Sequence, residues 1–369
     1  MSIRSKPEVE NLKVCCHGGP DWAELRSLGL NPEQVLDFSV CTNPFPPPSG
    51  VRKALSRAAI DRYPDSEATE FRQCLSKKLG IAADNILAGS GSTELIRLIA
   101  LTYFSRGDSV LILEPTYGDY EVACHMTGTE VLKQMARVED NFTLRVEETV
   151  ELIRQHCPKG IFICHPNNPT GQYFSRQEIE AVLDAGVNSL LILDEAYIAF
   201  TDEIWSSLDL LHRGNIAIVR SMTKDYTLAG LRLGYAVAHR EIIDRLQRVC
   251  PPWNVSVLAQ QAGVAALKDA DYLERCKPKI KQAKQFLVGE LRRLGFTVIP
   301  SKTNYFLVRV GDGKTFRSAL LKHGILVRDC ASFGLPEYIR IAPRIMPECR
   351  KLIATIQALK RGGGLDTNI

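Results

Sequence analysis

Ser221-Met-Thr-Lys224 directly follows the apolar run Ile216–Val219 and so places a lysine where a buried strand ends. At the carboxyl edge of a parallel sheet, such a residue faces the crevice in which α/β folds bind ligands. Partial desolvation there lowers an amine's pKa and makes it a nucleophile for an aldehyde. Alone, a strand-end lysine is more often a surface residue, so its companions decide. Leu191-Ile-Leu-Asp194-Glu195-Ala-Tyr197 brings a carboxylate to the end of a second apolar run. Ionisation is costly there unless a cation such as a protonated pyridine pairs with it; the plain alternative is a helix N-cap. His165-Pro-Asn-Asn168-Pro-Thr-Gly171 is a rigid turn whose amide can hydrogen-bond a phenolate-like oxygen, or simply a turn. Gly89-Ser-Gly-Ser92-Thr93-Glu94 is a Gly-rich loop opening a helix, hence a cradle of N–H groups for an anion. It lacks the G-x-G-x-x-G spacing of a dinucleotide site. Tyr117, in Glu114-Pro-Thr-Tyr117-Gly, can stack on a flat ring or serve as an interfacial tyrosine, and Arg232 stands eight positions after Lys224.

These side chains converge only if parallel strands carry them to one edge. Val110–Leu113, Ile161–Cys164, Leu190–Leu193 and Ile216–Val219 are apolar throughout, as strands buried on both faces are. Amphipathic stretches alternate with them. One helix starts after Gly89–Gly91 and runs through Glu94–Phe104, and a second opens on the capping box Ser175-Arg-Gln-Glu178. This predicts an α/β fold, a doubly wound, mostly parallel sheet, as the large domain over 51–265. A charged helix near Asp271–Leu294, the runs Thr297–Ile299, Tyr305–Val310, Ile325–Val327 and Tyr338–Ile341, and a last helix predict a smaller α+β domain over 266–369. Residues 1–50, Pro-rich at Pro44–Pro48, are expected to form an arm and part of the small domain, wrapped onto that lobe or onto a second subunit. The polar tail after Arg361–Gly364 is expected to fray.

Composition narrows the classes. The 369 residues carry 46 Lys+Arg against 42 Asp+Glu, a net charge of +4 with both signs mixed, which excludes an electrostatic nucleic-acid binder. No apolar run approaches the roughly 18 residues of a membrane span, and MSIRSKPEVENLK has no secretory apolar core, so a cytoplasmic location is expected. The eleven cysteines are scattered, with no C-x-x-C and no H-E-x-x-H, so no metal site is expected and most thiols are read as apolar fillers.

Together the motifs describe one ligand: a flat, phosphorylated, pyridine-containing aldehyde that a lysine can capture. The set G-S-G-S-T-E, P-T-Y, P-N-N-P-T-G, L-D-E-A-Y, S-M-T-K and L-R-L-G-Y resembles, in order and spacing and over almost the entire chain, the fold-type I pyridoxal-phosphate aminotransferases. The resemblance implies that Lys224 forms a Schiff base with pyridoxal 5'-phosphate and that Asp194 pairs with its ring nitrogen. It implies that Asn168 and Tyr197 bond the ring hydroxyl, that Tyr117 stacks on the ring, and that Ser92, Thr93, Ser221 and Arg232 hold the phosphate. Tyr63, in Arg62-Tyr-Pro-Asp65, is similar to the tyrosine that reaches the phosphate from the neighbouring subunit, which implies a homodimer with shared sites.

Two branches compete, histidinol-phosphate aminotransferases and the threonine-phosphate decarboxylases of cobalamin biosynthesis. The flanks His17-Gly-Gly, Asp37-Phe-Ser, Pro252-Trp253-Asn-Val-Ser-Val-Leu-Ala259 and Val327-Arg328-Asp-Cys330 resemble the decarboxylases, which is the expectation adopted, with the aminotransferase as alternative. A non-catalytic relative is disfavoured by the intact lysine. The substrate is then a phosphorylated amino acid, with Arg340 on its carboxylate, His17 and Arg328 on its phosphate, and Asn43 assisting. One departure is Ser39-Val-Cys41-Thr-Asn43-Pro, where the decarboxylase pattern usually reads S-A-N-I-N-P, so a thiol replaces an amide.

Overall fold

The computed structural model describes residues 3–10, 12, 14–202 and 205–363. The tail beyond 363, like several residues of the N-terminal segment, lies outside that range. The strands are β1 (Leu36–Asp37), β2 (Ile86–Gly89), β3 (Ser109–Glu114), β4 (Glu130–Met135), β5 (Gly160–Cys164), β6 (Leu190–Asp194) and β7 (Ile216–Ser221). They continue with β8 (Gly234–Ala238), β9 (Thr297–Val298), β10 (Phe306–Arg309), β11 (Ile325–Leu326), β12 (Arg328–Asp329) and β13 (Tyr338–Ile341).

Seven of them form one sheet in the order β2-β8-β7-β6-β5-β3-β4. All pairings are parallel except those of β8, which runs antiparallel to both neighbours. Alternate residues of the same strands feed two separate cores. Leu111, Ile161, Leu193 and Ile218 pack under Ile153, Ile179 and Ala262, whereas Val110, Phe162, Ile192 and Val219 pack under Ile96, Tyr120 and Ile243. Helices therefore cover both faces, which is why the central strands carry no polar alternation. The helix Arg176–Ala185 starts on the full capping box, with Ser175 and Glu178 each satisfying the other's backbone N–H.

β12, β13, β10 and β9 make a four-stranded antiparallel sheet, and the N-terminal segment completes the lobe around it. β1 pairs in parallel with β11, Phe38 enters that lobe's core, and Leu25 of the helix Trp22–Ser27 packs on Leu321 and Leu326. The segment thus wraps onto the C-terminal lobe of its own chain. No helix among the described residues is long and apolar enough to cross a membrane.

Candidate active site

Asp194 and Cys164 end β6 and β5, and Lys224, Tyr117 and Asn168 follow β7, β3 and β5 by a few residues. One cavity of about 450 Å³ opens at these carboxyl ends, where crossing helices leave a crevice. Ser92, Thr93, Tyr117, Asn168, Asp194, Tyr197, Lys224 and Arg232 line it, as do His17, Arg328 and Arg340 from the other side.

Burial pushes the Asp194 carboxyl up to about 6, against a 2.7 Å hydrogen bond donated by Tyr120 Oη and another from the Ala196 N–H. Tyr120 was invisible to motif reading. It stacks on Phe162 at 4.9 Å, like an ordinary core aromatic, and only the folded chain brings its hydroxyl to Asp194. Behind Asp194, Glu195 is fully buried; burial alone would raise it, but Arg220 at 2.8 Å and the neighbouring His165 hold it down to about 2. Lys224 is pushed below the usual lysine range by burial and by the nearby Arg340 and Arg232 guanidinium groups, although the Cys41 thiol opposes this. Its Nζ lies 5.9 Å from the centre of the Tyr197 ring.

The helix Ser92–Tyr103 points its first turn into the cavity, and Arg232 lies against the same turn. A Cβ on Gly91 would come within 2.7 Å of the Arg232 guanidinium, and one on Gly234 within 2.9 Å of the Gly91 and Ser92 backbone. Only glycines allow this approach, so the cradle is built for an anion. Tyr117 Oη and Thr93 Oγ1 bond each other at 2.9 Å at its rim. Arg340 bonds Asn168 Oδ1 and donates to Ser39 O at 2.8 Å, while its buried Nε has no partner.

Three of the expected site residues lie outside this chain's own cavity, and for Tyr63, expected at a partner's site, that is no departure. Ser221 does not line the cavity; its hydroxyl is tied to Thr223 Oγ1 at 2.6 Å, and Thr223 takes the lining position. Asn43 is buried behind Lys224 and does not line the cavity, its side-chain amide donating to Asp225 O at 3.0 Å and Tyr272 Oη at 3.2 Å, which ties it into the fold. Tyr63 is 75% exposed and stacks on Trp253 at 4.2 Å, outside the cavity of its own chain. The thiol of Cys41 does reach the cavity.

Comparison with known proteins corrects the expected reaction. Curated relatives 30–34% identical over 84–95% of this chain are histidinol-phosphate aminotransferases. That of Symbiobacterium thermophilum is 32% identical over 95% of this chain and 97% of its own. Among solved structures, the histidinol-phosphate aminotransferase of Sinorhizobium meliloti in complex with pyridoxal-5'-phosphate superposes with a TM-score of 0.87 at 23% identity, covering 98% of this chain and 99% of its own. The L-threonine-O-3-phosphate decarboxylase of Porphyromonas gingivalis gives 0.78 at 27%, covering 89% of this chain and 100% of its own. The decarboxylase expectation leaned on flanking motifs, and the names of the relatives overturn it although His17 and Arg328 do line the cavity. Trp253 stacks on Tyr63 away from the cavity, and Arg328 donates to His17 O and Cys16 O at 2.9 Å each and to Ser332 Oγ at 2.6 Å. The family model for aminotransferase class I and II matches residues 33–356, and the chain belongs to that family, with pyridoxal 5'-phosphate as its cofactor.

Proposed function

We propose that the protein is a transaminase that moves an amino group between a phosphorylated amine, histidinol phosphate, and a keto acid, as a homodimer. The observation that carries this reading is the naming of the full-length relatives together with a cavity in which Lys224 faces two arginines.

The donor set suits the cofactor: a depressed amine for its aldehyde, a carboxylate for its ring nitrogen, an amide and a phenol for its ring oxygen, and a helix N-terminus with Arg232 for its phosphate. When bound, pyridoxal phosphate supplies an electron sink that lets the substrate's Cα give up a proton. Asp194 keeps the ring nitrogen protonated by offering a buried negative charge that needs a cation. Tyr120 fixes which way that carboxylate points through its 2.7 Å bond. Tyr117, Asn168 and Tyr197, which line the same cavity, would hold its ring and ring oxygen. Lys224 would hold the group's aldehyde carbon. With a substrate amine in its place there, the buried Lys224 amine, pushed below the usual lysine range, would be positioned to carry the proton away from Cα. Arg340, fork-shaped and buried, takes the substrate's anionic group, phosphate in one half-reaction and carboxylate in the other, with His17 and Arg328 beside it. The exposed Tyr63 is assigned to the phosphate site of the partner subunit.

Product analysis tests this. The cofactor-loaded protein with histidinol phosphate and 2-oxoglutarate should yield glutamate. Release of CO₂ from O-phospho-L-threonine without a keto acid, and no glutamate, would overturn it.

A further inference from the structure

We infer that Cys15 Sγ, His17 Nε2 and Asp119 Oδ2 form a binding site for Zn²⁺ at the mouth of the cavity. One ligand atom from each residue lies within 4.8 Å of the other two, and they are a thiol, an imidazole nitrogen and a carboxylate oxygen, the donor types zinc selects. No linear motif announces the trio, because Asp119 is far along the chain from Cys15 and His17.

The site is built in three ways. Asp119 is 1% exposed, and its Oδ2 is buried without a hydrogen-bond partner, 3.4 Å from His17 Nε2. A buried carboxylate oxygen in that condition is costly unless a cation takes it. Arg97 approaches the other oxygen, Oδ1, at 3.4 Å and so leaves Oδ2 available. Second, the loop is held in place: the Arg328 guanidinium clamps the carbonyls of Cys16 and His17. Third, Cys15 Sγ sits over Gly118, where a Cβ would come within 3.0 Å of the sulfur. Three protein ligands leave the fourth tetrahedral position open to water or to an anion in the cavity.

A bound ion engages the His17 imidazole, which the proposed function places beside the substrate's anionic group. Zinc should therefore inhibit turnover, reversibly with a chelator. This consequence rests on that reading; the binding itself does not.

The test is titration of the cofactor-loaded enzyme with Zn²⁺ alone, by calorimetry and by competition with a chromophoric chelator. One ion per chain is expected, with affinity reduced at least about tenfold in Cys15→Ser and unchanged in Cys16→Ser, whose exposed thiol controls for adventitious binding. Co²⁺ as a second probe should give visible d–d bands at wavelengths longer than the cofactor's absorption, lost in Cys15→Ser. Absence of stoichiometric binding, or binding that survives Cys15→Ser and falls with Cys16→Ser, would overturn the site. Binding without inhibition would overturn the assignment of His17 and leave the site standing.

Discussion

Replacing Tyr120 by Phe removes one oxygen and leaves the ring stacked on Phe162. That oxygen donates the 2.7 Å bond to Asp194, whose carboxyl burial pushes up to about 6. Near pH 5 the carboxyl is largely protonated, and the lost bond is a neutral one worth about 1 kcal/mol. Near pH 8 it is ionised, and a bond to a charged group is worth about 2 kcal/mol. The difference of about 1 kcal/mol moves the Asp194 titration in the variant up to about pH 7. The sign follows from linkage. A carboxyl raised in the fold costs stability as pH climbs through its folded pKa, so the variant's extra loss develops above about pH 6. Unfolding 369 residues carries an entropy of about 0.8 kcal/mol/K, so melting should fall by about 1 °C near pH 5 and about 3 °C near pH 8. The assay is thermal melting of the cofactor-free protein against pH, wild type beside variant. A deficit that is equal at both pH values, or larger in acid, would refute the electrostatic account of the pair.

Glu195→Gln leaves the buried Arg220 guanidinium without its counter-charge and should cost about 3–5 kcal/mol in urea unfolding. Because Glu195 is held down to about 2, the wild-type advantage should persist through neutral pH and vanish only as pH falls from 4.5 toward 2. Lys224→Ala should abolish the absorbance of lysine-bound cofactor and turnover together; a spectrum like wild type would contradict its assignment. Tyr63→Ala and Lys224→Ala, each impaired alone, should regain up to about one quarter of wild-type activity when unfolded and refolded together, since half of all dimers are then mixed and each mixed dimer holds one intact site of its two. No recovery would place Tyr63 outside the partner's site.

What could be read without coordinates follows burial. Leu190–Leu193 and Ile216–Val219 are sandwiched between helices, so every position in them is apolar and the strands announce themselves. β4 at the sheet edge buries only Gln134 while its other five residues stay partly or fully exposed, and Glu130-Val-Leu-Lys-Gln-Met135 shows no pattern to find. β8 is built of Gly234-Tyr-Ala-Val-Ala238, all buried, and a run opening on glycine with two alanines is not among the expected strands. The cofactor cluster was legible because its motifs sit at strand ends, five of them following β2, β3, β5, β6 and β7 and the Arg232 motif leading into β8. Tyr120, Asp119 and Arg97 were not, because their partners come from other elements and nothing local marks them. Trp253 misled because its resemblance to one branch carried no information about where the ring would lie.

The pairing of Leu36–Asp37 with Ile325–Leu326 has a consequence for how the protein is made. On the ribosome, the first strand must wait for almost the whole chain before its partner exists. At synthesis rates of roughly 5–20 residues per second, that is a wait of about 15–60 s. During it Phe38 and Leu25 have no core to enter, and Ser39 O has no Arg340 to accept from. The large sheet can form earlier, but the wall of the cavity that carries the arginines closes last. Newly made chains should therefore pass through a stage that is largely folded, presents Lys224 and lacks its substrate clamp.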